Sequence, residues 1–163
     1  MRRIVACTLV VVTLLPAVAL AQSDDVGFRG WGPRVGVTVD PDQVHFGFHF
    51  DFGNFSRRVR FQPNFELGLG DDLTIAALNF EAAYRFRAQW EVWGPYAGGG
   101  IGVNILNGDN AGGRGDDSDT EIGLNVLGGI EKGISGGDRF FMELKLGLTD
   151  SPDAKVTVGW TFY

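Results

Sequence analysis

Two histidines and an aspartate share one parity in the stretch Val44-His45-Phe46-Gly47-Phe48-His49-Phe50-Asp51-Phe52. On a strand, residues of one parity point to one face, so His45, His49 and Asp51 invite a metal or acid–base reading. Spacing weighs against it. Residues four apart on a strand lie about 13 Å apart at ~3.3 Å per residue. His45 and His49 therefore do not bind one ion through bonds of ~2 Å. The five serines, Ser23, Ser56, Ser118, Ser135 and Ser151, fall in the amino-terminal tail, turns or loops, and none lies within a few residues of either histidine. A serine–histidine–acid set can assemble from distant residues, but nothing local points to one. Neither a catalytic site, a metal nor a cofactor is expected.

The connection between Leu106 and Asp119 carries two further strings. Gly112 to Asp117 fits the first six positions of a Gly-Gly-x-Gly-x-Asp calcium repeat, but that architecture needs stacked copies and only one is present. Arg114-Gly115-Asp116 spells an adhesion tripeptide, which a Gly/Asp-rich loop produces readily by composition. The expectation is a solvated hairpin tip. Its carboxylates offer weak Ca²⁺ contacts, and the loop 106–119 is the candidate contact for a surface partner.

The elements that position these residues are strands. The same two-residue alternation runs through Val35–Val39, Val59–Leu69, Leu78–Phe86, Trp93–Ile105, Ile122–Ile130, Phe140–Leu148 and Val156–Phe162, which with the histidine stretch makes eight. Turn-type clusters separate them: Asp40-Pro41-Asp42, Gly53-Asn54, Gly70-Asp71-Asp72, Ser135-Gly136-Gly137-Asp138 and Thr149-Asp150-Ser151-Pro152-Asp153. The 163 residues suffice for one domain. An even number of hairpin-linked strands closes naturally into an up-and-down barrel with no exposed edge. The expected domain is 31–163, preceded by a short segment at 22–30.

Residues 1–21 differ in kind. Arg2 and Arg3 precede an almost wholly apolar run ending in Ala19-Leu20-Ala21, the pattern of a cleaved secretory signal peptide. Pro16 interrupts the run, which speaks against a retained anchor, and Cys7 lies too early in it for a lipoprotein. The mature chain then has no Cys, which excludes a disulfide-stapled scaffold. It keeps 12 Lys and Arg against 20 Asp and Glu, a net charge of −8. No basic stripe suggests nucleic-acid binding.

Alternation alone does not say which face is inside. A soluble ligand barrel buries its apolar face, and a membrane barrel turns that face outward. Two features favour the second. The polar faces are rich in Gly, Asn, Arg and Glu, yet the chain has only three Lys (Lys132, Lys145, Lys155), unlike a mixed solvated exterior. Tracing eight strands up and down also brings Trp31, Trp90, Trp93 and Trp160 to one rim, where a bilayer interface holds such rings. The polar residues then fill a narrow lumen. His45, His49, Asp51, Arg58, Arg60, Glu66, Glu81, Arg85, Glu121, Glu143 and Lys145 are the expected network, with opposite charges paired because lone buried charges are costly.

The ending Lys155-Val-Thr-Val-Gly-Trp-Thr-Phe-Tyr163 resembles the closing strand of small bacterial outer-membrane β-barrel proteins. Trp93-Gly-Pro-Tyr-Ala-Gly-Gly-Gly-Ile-Gly-Val103 resembles the Pro-Tyr-x-Gly-x-Gly-x-Gly strand of the same family. The resemblance implies an all-β fold, an eight-stranded antiparallel up-and-down transmembrane β-barrel. It implies a bacterial outer-membrane location, contact with outer-membrane lipid, and recognition of Gly159, Trp160, Phe162 and Tyr163 by the barrel-assembly machinery. Tyr163 departs from the family pattern, because it follows Phe162 and displaces the terminal aromatic by one position. The expected role is structural or surface-interactive, by a monomer that is not an enzyme. A small channel, a soluble periplasmic ligand-binding barrel and a lipid A enzyme are the competing readings.

Overall fold

The computed structural model describes residues 25–70, 73–108 and 118–163. The expected signal peptide, the start of the 22–30 segment, the Asp71-Asp72 pair and both strings of the 109–117 connection lie outside the described residues. Nine strand segments account for most of what is described: β1 (Asp25–Val39), β2 (Gln43–Ser56), β3 (Val59–Phe61), β4 (Asn64–Leu69), β5 (Leu73–Arg85), β6 (Gly94–Gly108), β7 (Ser118–Gly133), β8 (Arg139–Thr149) and β9 (Ala154–Thr161). They make eight staves, because β3 and β4 are two halves of one, each paired with both β2 and β5.

The interruption falls at Gln62-Pro63, where Pro63 has no N–H for a ladder. The barrel wall nevertheless stays bonded there. Phe50 N–H donates to the Pro63 carbonyl at 2.9 Å, and Gln62 N–H donates to the Glu81 carbonyl at 2.9 Å. All neighbouring strands are antiparallel, and β1 pairs with both β2 and β9, so the sheet closes on itself. No edge is left to recruit another chain.

Alternation sets the two faces as the period requires, and the polar face is the inner one. In β2 the odd residues from Gln43 to Asp51 are buried, while Val44, Phe46, Phe48 and Phe50 are exposed. Across the described chain six buried residues are hydrophobic and twenty are polar or charged. A water-soluble barrel reverses that ratio. The outer wall is a belt of Val, Phe, Leu and Ile from every stave, whose exposure in water would be unfavourable.

Two boundaries differ from those expected. β1 begins at Asp25 rather than Trp31, with Asp25 and Val26 paired to Asn54 and Gly53 across a register shift before Gly30. Gly27 and Gly30 hide the alternation there, and the partner strand supplies the order that the local sequence lacks. Phe28 packs edge-on against Phe52 at 6.1 Å between ring centroids. The long connection also shortens, since Leu106 and Asn107 still pair with Asp119 and Ser118.

Both termini of the barrel and the β2–β3, β5–β6 and β7–β8 connections lie at one end, called here the termini end. The β1–β2, β4–β5, β6–β7 and β8–β9 connections lie at the other, the hairpin end.

Candidate functional site

The lumen is filled in layers. At mid-height Arg34 of β1 reaches three carboxylates from three other staves. Its Nε lies 3.1 Å from Glu66, Nη2 lies 2.7 Å from Glu143 and Nη1 lies 3.8 Å from Glu81. Lys145 and Lys155 complete the cluster. Lys145 pairs with Glu81 and lies 3.6 Å from Glu66, while Lys155 donates to Glu66 at 2.9 Å. Three cations meet three carboxylates, all nearly inaccessible to water. Neutrality and multiple partners offset the desolvation of each charge. Asn64 donates to Glu81 at 2.7 Å, and Asn79 donates to Asn64 at 2.9 Å, which ties the cluster to the wall.

A second cluster lies nearer the termini end. Arg60 donates to Glu131 at 2.5 Å, Arg139 Nε lies 3.5 Å from the same carboxylate, and Arg139 Nη2 lies 3.0 Å from Asp51. Asp51 also accepts from the Gly53 amide at 2.8 Å and the Tyr163 hydroxyl at 2.9 Å. Two cations meet two carboxylates.

An aromatic plate separates the clusters. Ala83, Tyr96, Leu127 and Phe141 form the one cluster of buried hydrophobic residues among those described, and His49 packs edge-on against Phe141 at 5.2 Å. Arg34 stacks over Phe141 at 5.7 Å on one side, and Arg60 over Tyr96 at 5.2 Å on the other. The Tyr96 hydroxyl donates to Glu143 at 3.0 Å, which pins the plate to the central cluster. Glycines make the room. A Cβ on Gly129 would stand 2.6 Å from the Tyr96 ring, and one on Gly159 would overlap the Phe141 ring. Small residues facing large ones fill a narrow barrel.

The histidines fit into this packing. His45 exchanges hydrogen bonds with the Thr38 and Thr157 hydroxyls, both at 2.9 Å, and His49 bonds the Thr161 hydroxyl at 2.9 Å. Asp51, which shares their parity, turns instead to Arg139 and Tyr163. Among the described residues no group of three or more His, Cys, Asp or Glu is placed to hold a metal ion.

Of the expected network, His45, His49, Asp51, Arg60, Glu66, Glu81, Glu143 and Lys145 meet in these layers. Three do not. Arg85 bonds Asn54 at 3.0 Å near the termini-end mouth. Arg58 is half-buried on a turn, and its carbonyl accepts the Arg85 N–H at 2.9 Å. Glu121 lines the opposite mouth with Asn104 and Asp150. Arg34, Glu131, Arg139 and Lys155 were missing from the expected network, and so was Tyr96 of the plate. Arg34 had a legible signal, since it shares the parity of Gly36 and Thr38.

At the termini-end rim, Trp31 packs against Phe48 at 6.1 Å and Phe162 at 5.9 Å, while Phe140 bridges Trp93 at 6.1 Å and Trp160 at 5.0 Å. Trp90 and Trp93 exchange backbone hydrogen bonds of 2.8 and 3.0 Å. Phe162 keeps the outward parity and bonds Trp31 through the backbone at 2.8 and 3.1 Å. Tyr163 turns inward, with Arg139 5.4 Å from its ring. The displaced aromatic thus sits at the termini-end mouth with its hydroxyl on Asp51, and the register of the closing strand is unshifted.

No protein-family model matches the chain, and none of the curated proteins matches it. Solved structures do. Neisserial surface protein A is similar with a TM-score of 0.62 at 15% identity, covering 81% of this chain and 93% of that one. The N-terminal β-barrel domain of Pseudomonas aeruginosa OprF is similar with a TM-score of 0.58 at 14% identity, covering 82% of this chain and 100% of that one. At these identities the likeness is one of fold. The chain is a closed eight-stranded barrel of the outer-membrane type.

Proposed function

We propose that the protein is an integral barrel of a bacterial outer membrane whose lumen is sealed, and that it acts structurally or through surface contact rather than as an enzyme or a pore. The observation that carries this reading is the combination of an apolar outer belt with a lumen filled by two neutral ionic clusters and an aromatic plate. Eight strands enclose a space just wide enough for side chains, and here those side chains pair across it from opposite staves. In this orientation the Trp rim and both termini face the periplasm. The hairpin end, with the β6–β7 connection, faces the exterior and is the surface for a partner. The Gly159-Trp160-Thr161-Phe162-Tyr163 ending serves recognition by the assembly machinery, and lipid is the permanent partner of the belt.

Outer-membrane fractionation with a heat-modifiability gel tests the location. A folded barrel stays in the membrane fraction and shifts mobility only after boiling. Recovery from the periplasm with no shift overturns the reading. In a planar bilayer the expected result is no resolved single-channel current, and reproducible conductance steps contradict a sealed lumen.

A further inference from the structure

Lys132 is the exception on the outer wall. Among the described residues of β2 to β9 it is the one charged side chain with outward parity, and it stands at the termini-end rim. It is half-buried, with its ammonium 4.7 Å from the centre of the Trp93 ring and 5.9 Å from that of Phe140. The carboxylates near it in the chain are not its partners. Glu131 turns inward to Arg60 and Arg139. Asp138 accepts the Tyr163 amide at 3.3 Å, and Glu91 stands on the exposed β5–β6 connection together with Arg87. Two rings thus hold a cation without an ion-pair partner among the described residues at the height of the bilayer interface, where lipid phosphates lie.

A groove of about 440 Å³ begins beside it on the same wall, and its lining includes Pro95, Gly128, Ile130, Met142, Leu144 and Val156. The ladders set these residues in rows. Lys132 pairs with Phe140, Ile130 with Pro95 and Met142, and Gly128 with Ala97 and Leu144. Leu144 in turn pairs with Val156. The rows descend from the cation into the apolar belt. Gly128 leaves the gap, since a Cβ there would meet nothing nearer than 3.9 Å. Four residues separate Lys132 from Gly128, about 13 Å along the strand. That is about half of the ~25 Å apolar band of such a barrel, the depth of one leaflet. On the opposite wall β2 presents Phe46, Phe48 and Phe50, with no outward charge.

We propose that this wall holds one glycerophospholipid of net negative charge, its phosphate on Lys132 and one acyl chain along the groove. The proposal rests on the membrane location argued above, and the orientation given there puts this rim at the inner, phospholipid leaflet. Charge complementarity selects the headgroup. An anionic lipid meets the lone ammonium favourably, whereas an amine-bearing headgroup brings a second cation to it. The apolar lining and its depth select the chain.

The test uses the refolded mature chain in a non-ionic detergent, with native mass spectrometry as the readout and phosphatidylglycerol or an uncharged galactolipid as the probe. The expected result is one retained phosphatidylglycerol, preferred about fivefold over galactolipid at equal concentration. Each variant is first checked for folding by heat-modifiable migration. Lys132→Gln should abolish the preference, and Gly128→Leu, which fills the groove, should lower retention of both lipids. Phe46→Leu on the opposite wall should change neither. Equal retention of the two lipids by the unaltered chain overturns the proposal. So does a preference that survives Lys132→Gln, retention unchanged by Gly128→Leu, or an equal loss in Phe46→Leu. Any of these in a folded, heat-modifiable barrel that fractionates with the outer membrane removes the site and leaves the location standing. Recovery from the periplasm with no mobility shift removes both.

Discussion

The central ionic cluster and the termini-end cluster both match cations to carboxylates one for one, yet they are finished differently. The central one closes on itself, since Arg34, Lys145 and Lys155 find all their ionic partners in Glu66, Glu81 and Glu143. The other stands beside a cavity with additional arginines, and its Asp51 takes part of its hydrogen bonding from the chain's last side chain. Buried ion pairs are held together chiefly by the penalty of breaking them. Their cost therefore depends on how completely the partners are withdrawn from water. The closed cluster is a plug, and the open one is a plug that borders a cavity.

Removing the shared cation of the central cluster is the sharpest way to break this contrast. Arg34→Met takes from Glu143 the cation bonded to it, leaves Glu66 and Glu81 to the two lysines, and removes the cation over Phe141. It should lower unfolding free energy by about 3–5 kcal/mol, read as a lower urea midpoint in vesicles. A loss no larger than that of the matching variant below removes the distinction. That variant, Arg60→Met, leaves Arg139 beside Glu131 and has a cavity to admit water, so about 1–3 kcal/mol is expected in the same assay. Tyr163→Phe takes one hydrogen bond from Asp51 while Arg139 and the Gly53 amide remain, and about 1 kcal/mol should be lost. A null result there separates the terminal residue from the cluster. The smallest effect is expected outside the lumen. Lys132 stands on the outer wall, 4.7 Å from the Trp93 ring and 5.9 Å from that of Phe140. Lys132→Gln should change stability by about 0.5–1 kcal/mol, and an effect matching Arg34→Met would show that the rim rather than the plug holds the barrel.

The outer wall was easy to read because each Phe, Val and Leu on it reports only its own parity. His45, His49 and Asp51 were assigned one face by the same rule, and they do share it. Their partners were not readable. Asp51 meets Arg139, 88 residues away, and His45 meets Thr157, 112 residues away, across a lumen whose width and stagger no local pattern encodes. Arg34 shares the parity of Gly36 and Thr38, but Gly32 and Pro33 obscure the start of β1's alternation and with it the inward face of Arg34. Tyr163 looked like a displaced membrane aromatic until the fold showed its hydroxyl on Asp51.

By itself the sequence determined the eight staves, the two faces of each and the aromatic rim, since side-chain period, turn chemistry and ring placement are local properties of the chain. Only the tertiary structure decided which charges neutralise one another, that a plate of Tyr96, Phe141 and Leu127 divides them, and that arginines gather at one mouth while Asp40, Glu121 and Asp150 line the other. Closing a barrel brings together staves that are distant in the chain. Which side chains then meet follows from the hydrogen-bond register around the whole ring.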